Sequence, residues 1–147
     1  MDADLLARAC EWAAISPKCR NETYNITNGD VFVWHNVWQT IAEALGMRVG
    51  PPQPRRLAIE MPKQEAEWEA IVKKYSLRAP GSMRDYVGQS FFFADAIFAY
   101  GVKQLPSAML VSTIKARQHG FHDCIDTEDM FRKWFKRFQD LRLLPPV

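Results

Sequence analysis

The side chains best suited to chemistry in this 147-residue chain lie close together at His119, His122 and Cys124. The spacing His-x-x-His-x-Cys offers three zinc ligands, but a structural zinc site takes four, and no second paired motif supplies the fourth. A turn that carries ordinary polar residues is therefore the favoured interpretation. Arg117, His119 and Asp123 offer a second option, an acid–base cluster, although nothing in the sequence places a nucleophile beside them.

Motifs that define the common nucleotide-binding and hydrolytic sites are absent from the sequence. The chain holds no G-x-G-x-x-G, no G-x-x-x-x-G-K-[S/T] and no G-x-S-x-G. Neither common type of phosphate cradle nor the turn of a serine hydrolase is therefore present. The sequence predicts that this chain by itself holds no cofactor and no metal.

Composition and charge indicate a globular chain without a nucleic-acid or membrane partner. The net charge is +2, and the basic residues of the last predicted helix are partly balanced by Glu128, Asp129 and Asp140. This pattern favours a solvated face over a clustered basic footprint. No apolar stretch approaches the roughly 20 residues of a membrane helix. The three cysteines show no C-x-x-C spacing, which is typical of reduced thiols in a cytoplasmic protein.

Three consecutive aromatic residues, Phe91–Phe93, are the best candidate for a ligand or partner surface on the residues alone. Such a run is more often part of a core than of a pocket. A helix cannot, however, bury three consecutive residues on one narrow face. At least one ring is therefore expected to point into a pocket, a partner or solvent.

Apolar residues at helical spacing predict most of the elements that must position these side chains. The first helix is expected to start after Asp2, whose carboxylate suits an N-cap, and the last after Asp126 or Thr127. The stretch 86–100 is the most apolar, with Asp95 as its only charge, and its length favours a buried helix. The predicted helical ranges are 4–15, 34–45, 63–75, 86–100 and 127–143, and 108–117 is a short helix or an extended segment.

One segment, Tyr24–Thr27, is short, rich in β-formers and alternating, and it predicts a strand followed by a turn at residues 28–30. A strand needs a partner because its backbone donors and acceptors must be paired. Three partners are open: another short segment such as Leu57–Ile59, a second copy of this chain, or a sheet that is not part of this chain.

Several blocks of the sequence keep the order and composition of one enzyme family along essentially the whole chain. The blocks are Asp2–Leu6, Trp12–Ala14, Asn21–Phe32 with Trp34, Phe93–Asp95, and Lys115 with His119–Phe121. The most specific is N-G-D-V-F at residues 28–32 with the Trp that follows. The chain resembles the C-terminal part of the progesterone 5β-reductase and iridoid synthase-like enzymes, which are atypical extended short-chain dehydrogenases.

That resemblance implies a function that depends on a further domain. In such enzymes an N-terminal Rossmann domain binds NADPH and carries the catalytic Tyr and Lys. A helix and a strand like those at residues 1–30 then dock on its sheet, and a mostly helical substrate domain follows. The chain is expected to start just after the cofactor domain, which leaves Tyr24–Thr27 as a strand without its sheet. The family reaction reduces an activated C=C bond of an enone or enal with hydride from NADPH.

The resemblance also implies the residues that contact substrate. Phe93 is similar to the pocket phenylalanine of the family, and Phe92, Ala96 and Ile97 lie beside it on the same segment. These four residues are predicted to contact an apolar small molecule, and no catalytic residue is predicted in this chain. The segment from residue 100 to residue 112 is longer than in the plant enzymes, which would change the shape of the pocket.

The sequence thus predicts a mainly α fold with one or two short strands, a substrate domain without the Rossmann domain, in a single domain over residues 1–147. The expected function is to bind an apolar, enone-like molecule as the substrate-binding part of a reductase, without activity alone. NADPH is expected for a full-length relative and not for this chain. The alternative is a non-catalytic interaction module. It would pair with a Rossmann-domain partner or with a second copy, through the strand and the apolar faces.

Overall fold

Helices make up all the regular secondary structure in the part of the chain that the structure, a computed structural model, describes: residues 1–98, 100 and 110–147. The mainly α prediction is therefore confirmed. None of these helices is both long enough and apolar enough to span a membrane. The helices are α1 (Ala3–Ile15), α2 (Trp34–Ala44), α3 (Leu57–Glu60), α4 (Glu65–Tyr75), α5 (Met83–Val87), α6 (Ser90–Ile97), α7 (Ile114–Gln118) and α8 (Thr127–Asp140), with short 3₁₀ helices at Pro17–Cys19 and Met61–Gln64.

The chain divides into two compact units. The first unit comprises Met1–Met47 with Met109–Trp134, and the second comprises Arg48–Ala108 with Phe135–Val147. Helix α8 contributes its N-terminal part to the first unit and its C-terminal part to the second. That the two units act as one domain stays a prediction.

The core of the first unit forms where α1 meets α7 and the residues after it. Leu5 and Ala9 lie one helical turn apart on α1, and both are buried. They pack with Ala116 of α7 and with Phe121, which follows that helix. Four partly buried side chains complete this core: Trp12, Tyr24, Ile26 and Ile125.

A buried carboxylate fixes the start of α1. The Asp2 side chain is only 1% exposed, and its Oδ1 accepts from the backbone N–H of Leu5 at 2.8 Å, which confirms the predicted N-cap. Its Oδ2 accepts from Trp134 Nε1 at 2.8 Å and pairs with Lys133 Nζ at 2.5 Å. The same residue's backbone N–H donates to Asn28 Oδ1 at 2.7 Å. One residue, through its side chain and its backbone N–H, therefore joins α1, the Asn28 turn and α8.

The hydrogen-bond network continues from Asn28 into the start of α8. Asn28 Nδ2 donates to Thr127 Oγ1 at 2.9 Å, and the Thr127 hydroxyl donates to Asp30 Oδ1 at 2.9 Å. Asp30 Oδ2 accepts from the Thr127 backbone N–H at 2.8 Å. Among the described residues no buried side-chain polar atom lacks a partner, as a buried polar cluster requires.

The strand predicted at Tyr24–Thr27 is not a strand: no strand is assigned to any described residue. The alternation that suggested one is partly present, because Tyr24 and Asn28 are more buried than their neighbours, whereas Ile26 and Thr27 are both half-buried. That alternation comes from packing of Tyr24 and Ile26 on the core of the first unit and not from a ladder of hydrogen bonds. The suggested partner Leu57–Ile59 is helical, since it lies in α3.

The predicted turn at residues 28–30 is present and depends on its glycine. Gly29 has a φ of +96°, a region that side chains with a Cβ rarely adopt. A Cβ at this position would also come within 2.8 Å of the Cys124 Cβ. The turn thereby brings Asn28 O to the Ile125 backbone N–H at 2.9 Å.

The core of the second unit forms around an aromatic stack. Trp68 of α4 and Tyr86 of α5 lie face to face with ring centroids 4.7 Å apart, over buried Ala79 and Met83. The Trp68 indole N–H donates to Pro80 O at 2.9 Å, so the polar end of this buried ring is satisfied. The partly buried side chains around it are Met61, Val72, Leu77, Val87 and Phe91.

The long buried helix predicted over residues 86–100 is wrong in two respects. The segment breaks after α5, because Gly88 adopts φ +57° and ψ −123° at its C-cap, a conformation that ends a helix. The second half, α6, is largely exposed and has no fully buried residue. Residue 99 lies outside the described residues.

Other predicted boundaries shift by a few residues. The helix predicted over 63–75 starts at Glu65, after a 3₁₀ helix that contains Pro62. The segment predicted over 108–117 overlaps α7, which ends one residue later, and residues 108 and 109 lie outside the described residues. Helix α8 ends at Asp140, and Asp126 caps its start by accepting from the backbone N–H groups of Glu128 and Asp129.

The network at Asp2 predicts a pH-dependent stability. Burial tends to raise the pKa of this carboxyl, but hydrogen bonds from Lys133, Leu5 and Trp134 outweigh burial and lower the pKa from 3.8 to about 2. A lowered folded-state pKa stabilises the fold above about pH 5 by roughly 2 kcal/mol, and this stabilisation disappears as the pH falls towards 2. In urea titrations at pH 7, the free energy of unfolding of Asp2→Asn should be lower by that amount. Below pH 5, its free energy of unfolding should depend less on pH than that of the parent chain.

Asp4→Asn is the matched control, since Asp4 pairs with the same Lys133 at 3.1 Å from an exposed position. An exposed ion pair contributes about 0–1 kcal/mol, so this variant should behave almost like the parent chain. Equal losses for the two variants would contradict the assignment of the buried network to Asp2.

Candidate functional site

Helix α6 carries the four residues predicted to contact a ligand, and it presents all of them on one exposed face. The side chains of Phe92, Phe93 and Ile97 are 62%, 66% and 56% exposed, and Ala96 is exposed between them. Their spacing of one, four and five positions places them on one side of a helix. We call these four residues the α6 face. That the α6 face contacts a ligand stays a prediction.

The opposite side of α6 is held by the carboxylate of Asp95. Its Oδ1 accepts from the backbone N–H of Leu57 at 2.7 Å, and its Oδ2 accepts from that of Ala58 at 3.0 Å. Both donors lie at the start of α3, where backbone N–H groups have no partner within their own helix. Because one carboxylate accepts hydrogen bonds from both of these N–H groups, α6 is fixed against α3 with the α6 face turned away.

The three consecutive phenylalanines separate as the helical geometry predicts. Phe91 packs against the core of the second unit around Trp68 and Met83, whereas Phe92 and Phe93 are exposed. The expectation that at least one ring would point away from the core is confirmed. The α6 face therefore lies on the same helix as Phe91, a residue that packs on the core, but it is not itself part of the core.

The structure does not bring His119, His122 and Cys124, the residues of the suggested zinc motif, together as a set of ligands. In the described residues no group of three or more His, Cys, Asp or Glu side chains is placed to hold a metal ion. The three cysteines, Cys10, Cys19 and Cys124, are free thiols.

The suggested acid–base cluster is also not assembled, because each of its members bonds elsewhere. His119 Nδ1 lies 2.6 Å from the Tyr24 hydroxyl, and Asp123 pairs with Arg8 at 2.6 Å. Arg117 reaches a backbone carbonyl at 3.5 Å. These side chains tie α1, α7 and the Tyr24 segment together, which is a structural role.

Tyr24 itself stays a neutral phenol in this setting. Its hydroxyl donates to Lys18 O at 3.0 Å, and burial, with a contribution from Cys19, raises its pKa to about 12. A neutral phenol is a poor proton acceptor near neutral pH. A small pocket in the same unit, lined by Ile26, Ala116 and Phe121 among others, encloses about 10 Å³, room for about one water molecule.

The role of Asp95 was missed by sequence reasoning, although a signal for it exists. A single charge within an otherwise apolar helix must find partners or solvent. The amide groups that it serves lie 38 and 37 positions earlier in the chain. Periodicity reports which residues share a face but not which distant backbone groups meet them.

Along nearly its whole length the chain is similar to plant enzymes. It is 33% identical over 150 residues to an (S)-8-oxocitronellyl enol synthase of Antirrhinum majus, with 99% of this chain and 36% of that protein covered. The same identity and coverage hold for the enzyme of that name from Catharanthus roseus. With the 3-oxo-Delta(4,5)-steroid 5-beta-reductase of Arabidopsis thaliana it shares 32% identity over 147 residues, 98% of this chain and 36% of that protein.

The chain thus spans about 36% of the length of these curated relatives, and the match falls in their C-terminal part. No family model matches the chain. By their names, two of these relatives are enol synthases and the third is a steroid reductase.

The split of the three phenylalanines predicts unequal effects on stability. Phe91→Ala should lower the free energy of unfolding by roughly 2 kcal/mol or more, because it removes a ring packed against the second core. Phe92→Ala and Phe93→Ala should each change it by less than about 1 kcal/mol, because exposed side chains contribute little. Urea unfolding of the three variants measures this directly. A large loss for Phe93→Ala would show that the α6 face is buried in solution.

Proposed function

We infer that this chain, which belongs to the family of iridoid synthases and progesterone 5β-reductases and matches their C-terminal part, supplies the apolar wall of the substrate site in an NADPH-dependent enone reductase. The observation that carries this proposal is the α6 face. Its four residues are the ones that the resemblance predicted, and they lie together on one exposed surface. An exposed cluster of this kind is typical of a binding surface.

An apolar wall suits the chemistry of an enone. Aromatic rings such as Phe92 and Phe93 stack on a planar conjugated system and remove it from water. A water-poor site strengthens the hydrogen bond to the enolate oxygen that develops when hydride reaches the C=C bond. The side chains of α6 therefore bind and orient, whereas hydride and the oxyanion donor come from the part of the complete enzymes that carries NADPH and the catalytic Tyr and Lys.

The position of Asp95 gives the wall its rigidity. A binding surface on a helix keeps its geometry only if the helix cannot rotate. Asp95 accepts two hydrogen bonds from backbone N–H groups at the start of α3, and Phe91 packs in the second core, so α6 is held from the opposite side. A rigid face presents both phenylalanine rings to a ligand without a large entropic cost on binding.

The proposal predicts binding without turnover by this chain alone. Progesterone, titrated into the chain and followed by amide NMR shifts, should perturb α6. Phe93→Ala should weaken that binding by about two- to tenfold, because a ring contact contributes about 0.5–1.5 kcal/mol. Addition of NADPH should give no loss of its absorbance and no reduced steroid. Ile71→Ala, an exposed apolar residue on α4, is the control and should bind progesterone like the parent chain.

Turnover of progesterone by the chain with NADPH would overturn the assignment of catalysis to another part of the enzyme. Equal affinity of the parent chain and Phe93→Ala for progesterone would contradict the proposal that the α6 face forms the wall of the substrate site. Loss of binding in the Ile71 control would point to a general change in the fold, which the urea titrations of the same variants detect.

A second function, an interaction module, is favoured by an exposed apolar segment in the first unit. Val31, Phe32 and Val33 precede α2, and Val31 is 83% exposed. Trp38 of α2 is exposed in the same unit. Pairing through a strand at Tyr24–Thr27 has no support, because that segment is not a strand. The apolar segment is then the surface through which a Rossmann-domain partner or a second copy would bind.

This second function predicts that the purified chain self-associates when no other partner is present. Size-exclusion chromatography with light scattering should then give a dimer or larger species, and a variant with both Val31→Ser and Val33→Ser should shift to monomer. The matched control is Val49→Ser, an exposed valine in the second unit, which should not change the mass. A parent chain that is monomeric at high concentration would count against self-association.

A further inference from the structure

The second unit holds an open cleft that the wall on α6 does not account for. It encloses about 420 Å³, within the range of small-molecule sites. One side is the chain that leads into α3, and the other is the residue that follows α6. The lining residues are Pro54, Arg55, Arg56, Ile59, Glu60 and Tyr100.

Two adjacent arginines give the cleft its charge. Arg55 and Arg56 are both exposed, and Arg55 donates to the neutral side chain of Gln53 at 2.8 Å. Neither guanidinium makes an ion pair with any residue that the structure describes, and residues 101–109 contain no Asp or Glu. Both cationic groups are therefore available for an anionic ligand.

The acidic groups near the cleft are already engaged. Glu60, which lines it, pairs with Lys63 at 2.8 Å. Asp95 directs both carboxylate oxygens to the N–H groups at the start of α3. Both carboxylates thus have partners of their own, and neither neutralises Arg55 or Arg56.

The cleft lies at the end of the α6 face. Tyr100 comes three residues after Ile97, and its backbone N–H donates to Asp95 O at 3.1 Å, so it lies just beyond the C-terminal end of α6. Ile59 belongs to α3, which Asp95 ties to α6. The cleft therefore lies at the C-terminal end of α6, where Tyr100 lines it together with Arg55 and Arg56.

We propose that this cleft is a carboxylate-binding site for an amphipathic ligand whose apolar part lies along the α6 face. The guanidinium group is planar and matches a carboxylate with two parallel hydrogen bonds. Pro54 and Ile59 provide an apolar rim, and Tyr100 supplies a hydroxyl. The placement of the apolar part rests on the proposed function, whereas the carboxylate site rests on the arginines alone. The ligand class is then an apolar acid, such as an enone that carries a carboxylate.

Three probes with known chemistry test this proposal: octanoate, 1-octanol and inorganic phosphate, each titrated into the full chain and followed by amide NMR shifts. Octanoate should bind at least about tenfold more tightly than 1-octanol, because it adds a charge-assisted pair. Its shifts should include residues of both the cleft and α6. Its affinity should fall with added salt, as expected for an exposed charge interaction.

Substitution of arginines by glutamine tests which positive charges bind the carboxylate. Arg56→Gln and Arg55→Gln together should reduce the affinity for octanoate to that for 1-octanol. Arg84→Gln removes the same charge from an exposed position on α5 and is the matched control, so it should leave octanoate binding unchanged. Urea titrations of all three arginine variants report whether the fold is kept.

Each outcome separates the carboxylate site from the wall. Equal affinity for octanoate and 1-octanol, with α6 perturbed, would overturn the carboxylate site and support the wall. Octanoate binding that needs the arginines but leaves α6 unperturbed would support the site and overturn the wall. Tighter binding of phosphate than of octanoate would overturn the carboxylate class. Absence of binding by all three probes would overturn both proposals.

Discussion

The buried carboxylate of Asp2 is the interaction on which the first unit depends. A charge removed from water is costly unless hydrogen bonds and an opposite charge compensate it. Here the compensation comes from the Leu5 amide, the Trp134 indole and the Lys133 ammonium group. Because these partners belong to α1 and α8, the carboxylate is satisfied only when both helices are in place. The core of Leu5 and Ala9 then packs in one arrangement.

The second unit uses the same chemistry for a different purpose. Asp95 also places a carboxylate on free amide groups at a helix start, but those groups belong to another helix, α3. The bond therefore sets the rotation of α6 and, with Phe91 in the core, decides which residues stay exposed. The proposed substrate wall and the proposed carboxylate cleft both lie where this one contact puts them.

Local rules predicted those features whose causes are local. The N-cap at Asp2, the turn at Gly29 and the start of α8 depend on side chains within a few residues of the groups that they serve, so composition and spacing predict them. The alternation of apolar residues at Tyr24 and Ile26 is equally local in the sequence, but its cause, packing on the core of the first unit, involves distant residues. A period of two reports that alternate side chains are buried, and a ladder of backbone hydrogen bonds needs a partner strand in addition. The break at Gly88 was missed because apolar residues continue on both sides of it.

The sequence by itself determined the helical class, the aromatic run at Phe91–Phe93 and the family blocks that predicted Phe92, Phe93, Ala96 and Ile97 as one set. Spacing along a helix is enough for that, because helical geometry is the same in every context. Only the tertiary structure decided that this set is exposed, that Asp95 reaches Leu57 and Ala58, and that Arg55 and Arg56 share a cleft with Tyr100. Those contacts join residues more than thirty positions apart, and their energies depend on burial and on partners that no local pattern encodes.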